Sequence, residues 1–239
     1  MERVALVTGA SRGLGRVVAR VLASRGFDLA LGARHREGLD AIAWELRASG
    51  VRVETRAGDI ADDAVRRGLV DAAASLGGLD VIVNNASELG GLSPLVEADP
   101  GRLERIFRVN AIAPIALVRY ALPLLSIRGG LVVNVSSDAA IGGYPGWGVY
   151  GASKAALDLA GKTLAAELAD LHIGVVTVDP GDLRTRMHQE AFPGEDISDR
   201  PLPEVTAPFW EWLFDRDPGA ETGKRLRAQE EGEPWALRV

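Results

Sequence analysis

The feature that most constrains the fold is a glycine-rich turn between a short apolar strand and a helix near the start of the chain. The run Val4–Val7 precedes Gly9-x-x-x-Gly13-x-Gly15, and an apolar helical segment follows. Glycine lets the backbone turn tightly and approach a ligand closely, and the first N–H groups of a helix bind anions. Glycine turns are common, so the motif alone is weak; its strand-before and helix-after context predicts a phosphate-binding turn.

Beyond this turn, runs rich in Val, Leu and Ile alternate with Ala-rich helical segments. This alternation is typical of βαβ units, and the continuous apolar strands indicate a parallel sheet with helices on both faces. The length of 239 residues suits one α/β domain, residues 1–239. The predicted strands are Val4–Val7, Asp28–Gly32, Arg52–Ala57, Val81–Asn84, Leu131–Val135, Gly174–Val178 and, last and short, Gly223–Ala228.

Six helices are predicted, and the fourth contains Pro114, at which a kink or a split is expected. Residues 182–204 hold three prolines and few periodic apolar positions. A long loop in a compact domain commonly covers a site, so we interpret 182–215 as a substrate lid; a plain surface excursion is the alternative. The predicted helices are about Leu14–Ser24, Leu39–Ala48, Asp62–Leu76, Arg102–Leu125, Tyr150–Asp170 and Glu204–Asp215.

Composition excludes several functional classes. The net charge of −6 gives no electrostatic footprint for nucleic acid or acidic lipid. The chain has no cysteine, and its three histidines are not at metal-ligand spacing, so no metal site is expected. The first residues enter a strand directly and no apolar run long enough to cross a bilayer is evident, so we expect a cytoplasmic protein without a membrane partner.

The end of the second predicted strand bears on the choice of dinucleotide. It reads Leu31-Gly-Ala-Arg34-His-Arg, without an acid until Glu37. An acidic residue there holds a ribose 2′-hydroxyl, whereas arginine suits a 2′-phosphate. Arg34, with Arg12 from the glycine turn, therefore favours NADP(H) over NAD(H); a solvated arginine is the alternative for Arg34. Asp59 either accepts from the adenine amino group or caps a helix starting near Ala61.

Tyr150 and Lys154 provide a candidate acid/base pair, because residues four apart share a helix face. A free tyrosine has a pKa near ~10, too high for efficient proton exchange at neutral pH. A cation at ~4 Å in an effective dielectric of ~20 stabilises phenolate by about 4 kcal/mol. The pair therefore predicts a proton donor and acceptor tuned by its own helix.

Together these motifs resemble the short-chain dehydrogenase/reductase family. The resemblance covers residues 1 to about 185, and the Tyr-to-Lys spacing of four separates the chain from the enoyl-reductase branch. It implies a Rossmann-like, doubly wound parallel sheet of about seven strands in the order 3-2-1-4-5-6-7. The matching pieces are Thr8-Gly9-x3-Gly13-x-Gly15, Asn84-Asn85-Ala86, Asn110, Ser137, Tyr150-x3-Lys154 and Pro180-Gly181.

The resemblance also implies residue roles. Tyr150 would be the general acid/base, Lys154 would hold the nicotinamide ribose, and Ser137, with Ser136 as competitor, would bind the substrate oxygen. Asn110 would tether a water linked to the lysine, although the pattern fits an N-cap for Ala111 onward equally well. The expected cofactor contacts are Gly9, Ser11, Arg12, Gly13, Leu14, Gly15, Arg34, Asp59, Ile60, Asn85, Ala86, Tyr150, Lys154, Pro180, Gly181 and Thr185.

Substrate selection is expected from Ser87, Gly143, Tyr144 and Trp147, with Met187, His188 and Phe192 lining the lid or simply packing. Glycines leave room and aromatics supply an apolar wall, which suits a carbonyl or alcohol of moderate size. The expected activity is NADP(H)-dependent hydride transfer between nicotinamide and such a small molecule. The alternative is an NADP-binding sensor or regulator of the same fold without turnover.

Two departures from the family pattern bear on these expectations. Ser87 stands where the family carries glycine, which either reshapes the nicotinamide end of the pocket or has no effect. The chain ends Glu-Pro-Trp-Ala-Leu-Arg-Val in place of the family's glycine-rich ending, which the usual tetramer buries. A homodimer through the helices Arg102–Leu125 and Tyr150–Asp170, or a homotetramer, is therefore expected, with the dimer favoured.

Overall fold

A seven-stranded parallel sheet organises residues 2–229, the part of the chain that the computed structural model describes. Its strand order is β3-β2-β1-β4-β5-β6-β7, which confirms the predicted fold class and order. The ending Glu233–Val239 and the tetramer argument based on it lie outside the described residues. The strands are β1 (Arg3–Thr8), β2 (Phe27–Ala33), β3 (Val53–Ala57), β4 (Val81–Asn84), β5 (Gly130–Val135), β6 (Ile173–Asp179) and β7 (Arg225–Arg227).

Helices connect these strands and cover both faces of the sheet. Short 3-10 turns lie at Leu95–Glu97, Asp138–Ala140, Ala169–Leu171 and Pro203–Thr206. The helices are α1 (Gly13–Ser24), α2 (Arg36–Arg47), α3 (Asp63–Ser75), α4 (Pro100–Phe107), α5 (Ala113–Leu125), α6 (Gly148–Glu167), α7 (Arg186–Ala191) and α8 (Ala207–Phe214).

Side-chain alternation along the strands divides the apolar core between the two faces. In β1, Ala5 and Val7 join the cluster under α1, α2 and α8, whereas Val4 and Leu6 join the cluster under α3, α5 and α6. All four are fully buried, as expected for a central strand covered on both sides. Strand order reverses at β1, which pairs with β2 on one side and β4 on the other. Ligands of open α/β sheets bind at the carboxyl ends of strands beside such a reversal.

The long helix predicted over Arg102–Leu125 is interrupted, but not at Pro114. A π-helical turn at Arg108–Ile112 separates α4 from α5, and Pro114 follows as the second residue of α5. Proline fits the first turn of a helix because its missing N–H is not needed there. Pi turns inside helices occur frequently at functional sites. The interruption therefore directs attention to Asn110, which lies inside it.

The helical stretch Pro100–Leu125 also differs from the expectation that no run could cross a bilayer. The stretch is long enough to cross a bilayer, and an 18-residue segment of it has a mean hydropathy of 1.3, but 50% of that segment is buried inside the fold. Core helices of soluble proteins give the same result, so this finding carries no membrane assignment.

The segment interpreted as a lid divides into two parts with different surroundings. Its first part, including α7, borders the cleft described below. Its second part is core, because Phe209 and Trp210 of α8 are 0% exposed and α8 packs against α1. The aromatic side chains of α8 thus anchor one end of the segment in the fold.

Candidate active site

A cleft of about 720 Å³ opens at the carboxyl ends of the six strands β1 to β6. It is lined by the glycine turn, the ends of these strands, the first turns of α6 and the start of the segment after β6. The structure brings nearly all the sequence-predicted site residues to this one cleft: Gly9, Ser11, Arg12, Gly13, Leu14, Gly15, Arg34, Asp59, Ile60, Asn85, Ala86, Ser87, Ser137, Trp147, Tyr150, Lys154, Pro180, Gly181 and Thr185.

Two glycines of the turn, Gly9 and Gly15, have no space for a side chain. Gly9 has a positive φ of 69°, and a Cβ there would lie 2.7 Å from Asn85 Nδ2. A Cβ on Gly15 would lie 2.3 Å from the Gly9 carbonyl oxygen. Asn85 holds the turn from β4 by donating from Nδ2 to the carbonyls of Thr8 (2.9 Å) and Gly9 (3.2 Å). Asn85 therefore fixes the shape of the turn from below.

The start of α1 fits an anionic group. No side chain caps this helix, so its first N–H groups face the cleft without a side-chain acceptor. Such groups, together with the helix dipole, favour a phosphate. Arg12 adds a cation at the same position: burial lowers the pKa of its guanidinium, and the nearby cations Arg186 and Arg34 lower it further. This donor set suits the phosphates of a dinucleotide.

Arg34 lies at the cleft but is not a free side chain. Its Nη1 donates to Glu88 Oε1 at 2.7 Å, and its side chain is 48% exposed. Arg105 from α4 also binds Glu88, through Nε at 2.8 Å and Nη2 at 2.6 Å, and pairs with Asp59 at 2.6 Å. A chain of four charges, Arg34–Glu88–Arg105–Asp59, thus crosses the end of the cleft bordered by β2 and β3. Sequence reasoning missed the ion pair between Glu88 and Arg105, because no local motif marks a pair 17 residues apart.

Asp59 makes a local turn contact and does not cap a helix, so its alternative interpretation is wrong: α3 begins at Asp63 with Asp62 as the N-cap residue. Asp59 Oδ1 accepts from the Ala61 backbone N–H at 2.9 Å. Its other oxygen faces Arg105, and although burial raises the Asp59 pKa, the hydrogen bonds from Arg105 and Ala61 leave that pKa below its usual value. Asp59 is therefore a fixed negative charge at the edge of the cleft.

Tyr150 and Lys154 lie on the same face of α6 at the floor of the cleft. Lys154 is 2% exposed, donates from Nζ to the Val135 carbonyl at 2.8 Å, and has Nζ 5.7 Å from the Tyr150 ring centroid. Burial lowers the Lys154 pKa to about 8 and raises the Tyr150 pKa to about 12. The increase for Tyr150 is opposite to the predicted direction, because burial of the phenol is the largest influence on its pKa.

Two serine hydroxyls face the Tyr150 phenol and oppose that increase in its pKa. They belong to Ser137, at the end of β5, and to Ser87, after β4. Ser137 Oγ also donates to Asp138 Oδ1 at 3.0 Å and accepts from the Ala139 N–H at 3.2 Å. Ser87 Oγ donates to Asn110 Oδ1 at 3.1 Å. Ser87, which stands where the family carries glycine, therefore contributes its hydroxyl to the polar floor of the cleft.

Asn110 lies behind the cleft inside the π-helical turn and caps no helix. Its Nδ2 donates to Ser153 Oγ at 3.0 Å and to the Glu88 carbonyl at 2.9 Å. Its Oδ1 accepts from the Glu88 N–H at 2.9 Å. With 0% exposure, Asn110 ties α6 and the loop after β4 to the π turn. The N-cap interpretation of this residue is wrong.

An aromatic wall closes one side of the cleft. Trp147 packs edge-on against Tyr150 with ring centroids 5.9 Å apart, and Phe192 lies 6.3 Å from Trp147. His188 packs against Phe192 at 5.0 Å, and its buried Nε2 has no hydrogen-bond partner. These contacts place two residues of the predicted lid, His188 and Phe192, beside Trp147 and Tyr150.

Gly143 and Tyr144 lie outside this cleft, in contrast to the expectation that they face the substrate. They border a separate cavity of about 270 Å³, which shares Trp147 with the cleft. The Tyr144 hydroxyl donates to Asp138 at 2.8 Å, and its ring covers Gly142. The hydrogen bond to Asp138, six residues earlier in the chain, thus holds the Tyr144 ring outside the cleft.

Within residues 2–229, no group of three or more His, Cys, Asp or Glu side chains is placed to hold a metal ion.

Comparison with known proteins agrees with this geometry. A family model described as short chain dehydrogenase matches residues 3–196. Over 185 residues the chain is 37% identical to glycine betaine reductase ATRR of Emericella nidulans; the match covers 77% of this chain and 14% of that protein's length. The chain is also 31% identical to the oxidoreductase YciK of Escherichia coli, with 95% of this chain and 92% of YciK covered.

A solved structure from Escherichia coli CFT073, complexed with NADPH, superposes with a TM-score of 0.88 at 32% identity. It covers 95% of this chain, and 97% of that chain is matched. The similarity therefore extends well beyond the glycine turn, over most of the chain.

Proposed function

Because the chain belongs to the short-chain dehydrogenase family, which acts on small molecules, we propose that it is an NADP(H)-preferring oxidoreductase that interconverts a carbonyl and a secondary alcohol. The single observation that carries the proposal is the buried Tyr150–Lys154 pair beside Ser137 at the floor of a cleft whose other end is cationic. Such a cleft has one end for phosphates and one for proton transfer.

Nicotinamide, when bound, supplies or accepts the hydride, and the protein's own residues handle the proton and the charge. Tyr150 holds its proton firmly, since burial raises its pKa to about 12. It is thus a donor to an alkoxide oxygen that forms during reduction. Ser137 lies beside it, where its hydroxyl can donate to the same oxygen. Two donors directed at a developing oxyanion stabilise the transition state more than the ground state.

Lys154 contributes a charge and an anchor. Its pKa of about 8 leaves it mostly protonated at neutral pH, even though it is buried. An ammonium beside the phenol favours the phenolate, the form that oxidation of an alcohol requires. By family resemblance Lys154 also holds the nicotinamide ribose hydroxyls, and Thr185 the carboxamide. Asn110, bound to Ser87 and Ser153, keeps the floor of this site in place.

The cationic end supports the preference for NADP(H) over NAD(H). Arg12 and Arg34 lie together on one side of the glycine turn, and Arg186 adds charge from the segment after β6. A 2′-phosphate can replace Glu88 as the anionic partner of Arg34. The NADPH complex of the Escherichia coli CFT073 protein is consistent with this preference. Arg12 and Arg34, with the N-terminus of α1, would hold the phosphates.

The aromatic wall supports a substrate with an apolar part. Trp147, Phe192 and Leu89 present apolar surface around the Tyr150 phenol. A ketone or alcohol of moderate size can place its carbon skeleton there and its oxygen between Ser137 and Tyr150. Residues 182–202, which carry Phe192, would close over it as a lid.

A sensor that binds NADP(H) without turnover is the second candidate, and the intact Tyr150–Lys154 pair counts against it. We further propose a cytoplasmic homodimer formed through α4, the π-helical turn, α5 and α6, where Leu103, Ile112, Ile115 and Leu159 are exposed apolar residues. A dimer interface would cover such a face.

The test is NADPH and NADH oxidation over a panel of aryl and alicyclic ketones and aldehydes, with equilibrium binding of both cofactors measured in parallel. The enzyme proposal predicts turnover with at least one apolar carbonyl and tighter binding of NADPH. Binding of NADPH without turnover of any carbonyl, and without oxidation of the matching alcohols by NADP⁺, would support the sensor instead.

A further inference from the structure

The last strand of the sheet carries a buried arginine that no sequence motif marks. Arg225 begins β7, and its side chain is 9% exposed. It stands opposite Thr177 of β6 in the parallel register. A buried guanidinium needs partners for its donors, so its contacts identify the groups that it serves.

The Arg225 guanidinium joins three elements of the site. Its Nη2 donates to the Ser137 carbonyl at 2.6 Å, at the end of β5. Its Nε donates to Asp158 at 3.1 Å, on α6. Its Nη1 and Nη2 both lie 3.2 Å from Asp179 Oδ2, at the end of β6. One side chain thus holds the ends of two strands and a helix in fixed relation.

Each contacted residue either takes part in the proposed chemistry or lies within one helical turn, along the chain, of a residue that does. Ser137 carries the hydroxyl that faces Tyr150. Asp158 follows Lys154 by one helical turn. Asp179 directly precedes Pro180 and accepts from the Gly181 N–H at 3.0 Å through its free oxygen. Movement of any of these three groups would be transmitted to the floor of the cleft.

The cluster is also balanced in charge. Lys154 and Arg225 are cations, and Asp158 and Asp179 are carboxylates whose side chains are 13% and 5% exposed. Buried charges are tolerated when they are paired and hydrogen-bonded. Without Arg225, two carboxylates would face the site against Lys154 alone.

We propose that Arg225 is a positioning residue of this active site, an inference that rests on the proposed function: it fixes the Ser137 carbonyl and neutralises Asp158 and Asp179, so that the field at Tyr150 stays balanced. Its action reaches the reacting atoms only through these three residues.

The charges around Tyr150 determine in which direction its pKa should change when Arg225 or Asp179 is substituted. The groups that face the phenol are the Ser87 and Ser137 hydroxyls, the Asp138 and Asp179 carboxylates, and Lys154 on its own helix. After burial, both carboxylates raise the Tyr150 pKa. Loss of the cation that neutralises Asp179 should therefore raise that pKa, and loss of Asp179 should lower it.

The experiment is an ultraviolet titration of the Tyr150 phenolate in the free, full-length protein, isolated as the difference from the same protein carrying Tyr150→Phe. From the wild-type value of about 12, Asp179→Asn is expected to lower the pKa by about one unit. Asparagine keeps the oxygen that accepts from Gly181. Adding Arg225→Met to Asp179→Asn is expected to return the pKa to near the wild-type value.

Lys224→Met is the matched control, because Lys224 is the neighbouring cation, is 49% exposed and pairs with Glu221. It should leave the Tyr150 titration unchanged. An Arg225→Met substitution that leaves the titration unchanged in the folded Asp179→Asn protein would overturn the proposal and reduce Arg225 to a structural role.

If that double variant does not fold, Arg225→Gln in the Asp179→Asn protein decides: a pKa that returns towards the wild-type value supports the proposal, and a pKa unchanged from Asp179→Asn alone contradicts it. The titration needs neither cofactor nor substrate. A wild-type protein without turnover would count against the proposed function and leave this readout intact.

Discussion

The charged groups at the two ends of the cleft differ in how deeply they are buried. At the end bordered by β2 and β3, Arg34 is half exposed and pairs with Glu88. At the other end, Lys154 and Tyr150 are buried, and Lys154 donates to the Val135 carbonyl. Exposed pairs contribute little stability and depend on salt, whereas buried charges are costly and depend on geometry. The first end can select a ligand, and the second can perform chemistry.

The largest expected effect is the loss of turnover on Tyr150→Phe. General acid–base catalysis contributes roughly 10²–10⁴-fold, and Tyr150 is the one tyrosine among the described residues that line the cleft. NADPH affinity, measured by fluorescence titration, should stay near the wild-type value. Tyr120→Phe is the control, since Tyr120 binds Asp63 on the surface away from the cleft. Retained turnover in Tyr150→Phe would break the comparison at its catalytic end.

Lys154→Met is expected to separate activity from stability. Turnover should fall strongly because the ammonium beside the phenol is lost. The variant should nevertheless be more stable than the wild type at pH 7, by up to about 3 kcal/mol, because burial lowers the Lys154 pKa from 10.5 to about 8. The loss of the hydrogen bond to Val135 reduces this gain. Denaturant unfolding of both proteins measures the difference.

The pH dependence of that stability difference has a definite sign. Below pH 8 lysine is charged in both the folded and the unfolded chain, so the wild type carries the full cost of burying the charge. As pH rises from about 8 to 10.5, the unfolded chain binds more protons than the folded one, and wild-type stability increases towards that of the variant. A difference that widens over this range would contradict the buried, charged lysine.

Arg34→Ala tests the other end of the cleft. Hydrogen bonds to charged groups contribute about 1.5–3 kcal/mol, so NADPH affinity should fall by roughly 10–100-fold while NADH affinity changes little. Arg36→Ala is the matched control, because Arg36 is 70% exposed and its nearest acid is Asp40 at 4.0 Å. Equal weakening of both cofactors would show that Arg34 does not contact a 2′-phosphate.

The smallest expected effect belongs to Glu88→Gln, which frees Arg34 from its intramolecular carboxylate. Exposed ion pairs contribute about 0–1 kcal/mol, so NADPH affinity should rise by no more than about fivefold. The gain should shrink as salt is added. Glu97→Gln, on the exposed 3-10 turn after β4, is the control. A loss of NADPH affinity in Glu88→Gln would mean that Glu88 assists the cofactor.

Sequence reasoning reached the parts of this site that local pattern determines. The glycine turn, the strand alternation and the spacing of Tyr150 and Lys154 depend on neighbours within one element, and the structure places them at one cleft. Each of these three features can be identified from a short stretch of sequence or from one face of a helix. The order of the strands came from the family resemblance, since no local pattern contains it.

The parts that sequence reasoning missed depend on contacts between distant segments. Arg34 finds Glu88 54 residues away, and Arg225 finds Ser137 88 residues away. The prediction that Tyr144 faces the substrate was wrong for the same reason, because the hydrogen bond from its hydroxyl to Asp138 determines which way the ring points. The direction of the Tyr150 pKa was wrong because the sequence shows the neighbouring lysine but not the depth of burial.

The central claim is that one cleft holds a nicotinamide cofactor with its phosphates at the cationic turn and its reactive ring beside Tyr150. A crystal structure of the protein with NADP⁺ tests it most directly. We predict the nicotinamide ring against the Tyr150 hydroxyl, its ribose within reach of Lys154, and the 2′-phosphate on Arg34 in place of Glu88. A cofactor bound at another face of the sheet, or with its nicotinamide turned away from Tyr150, would contradict the account.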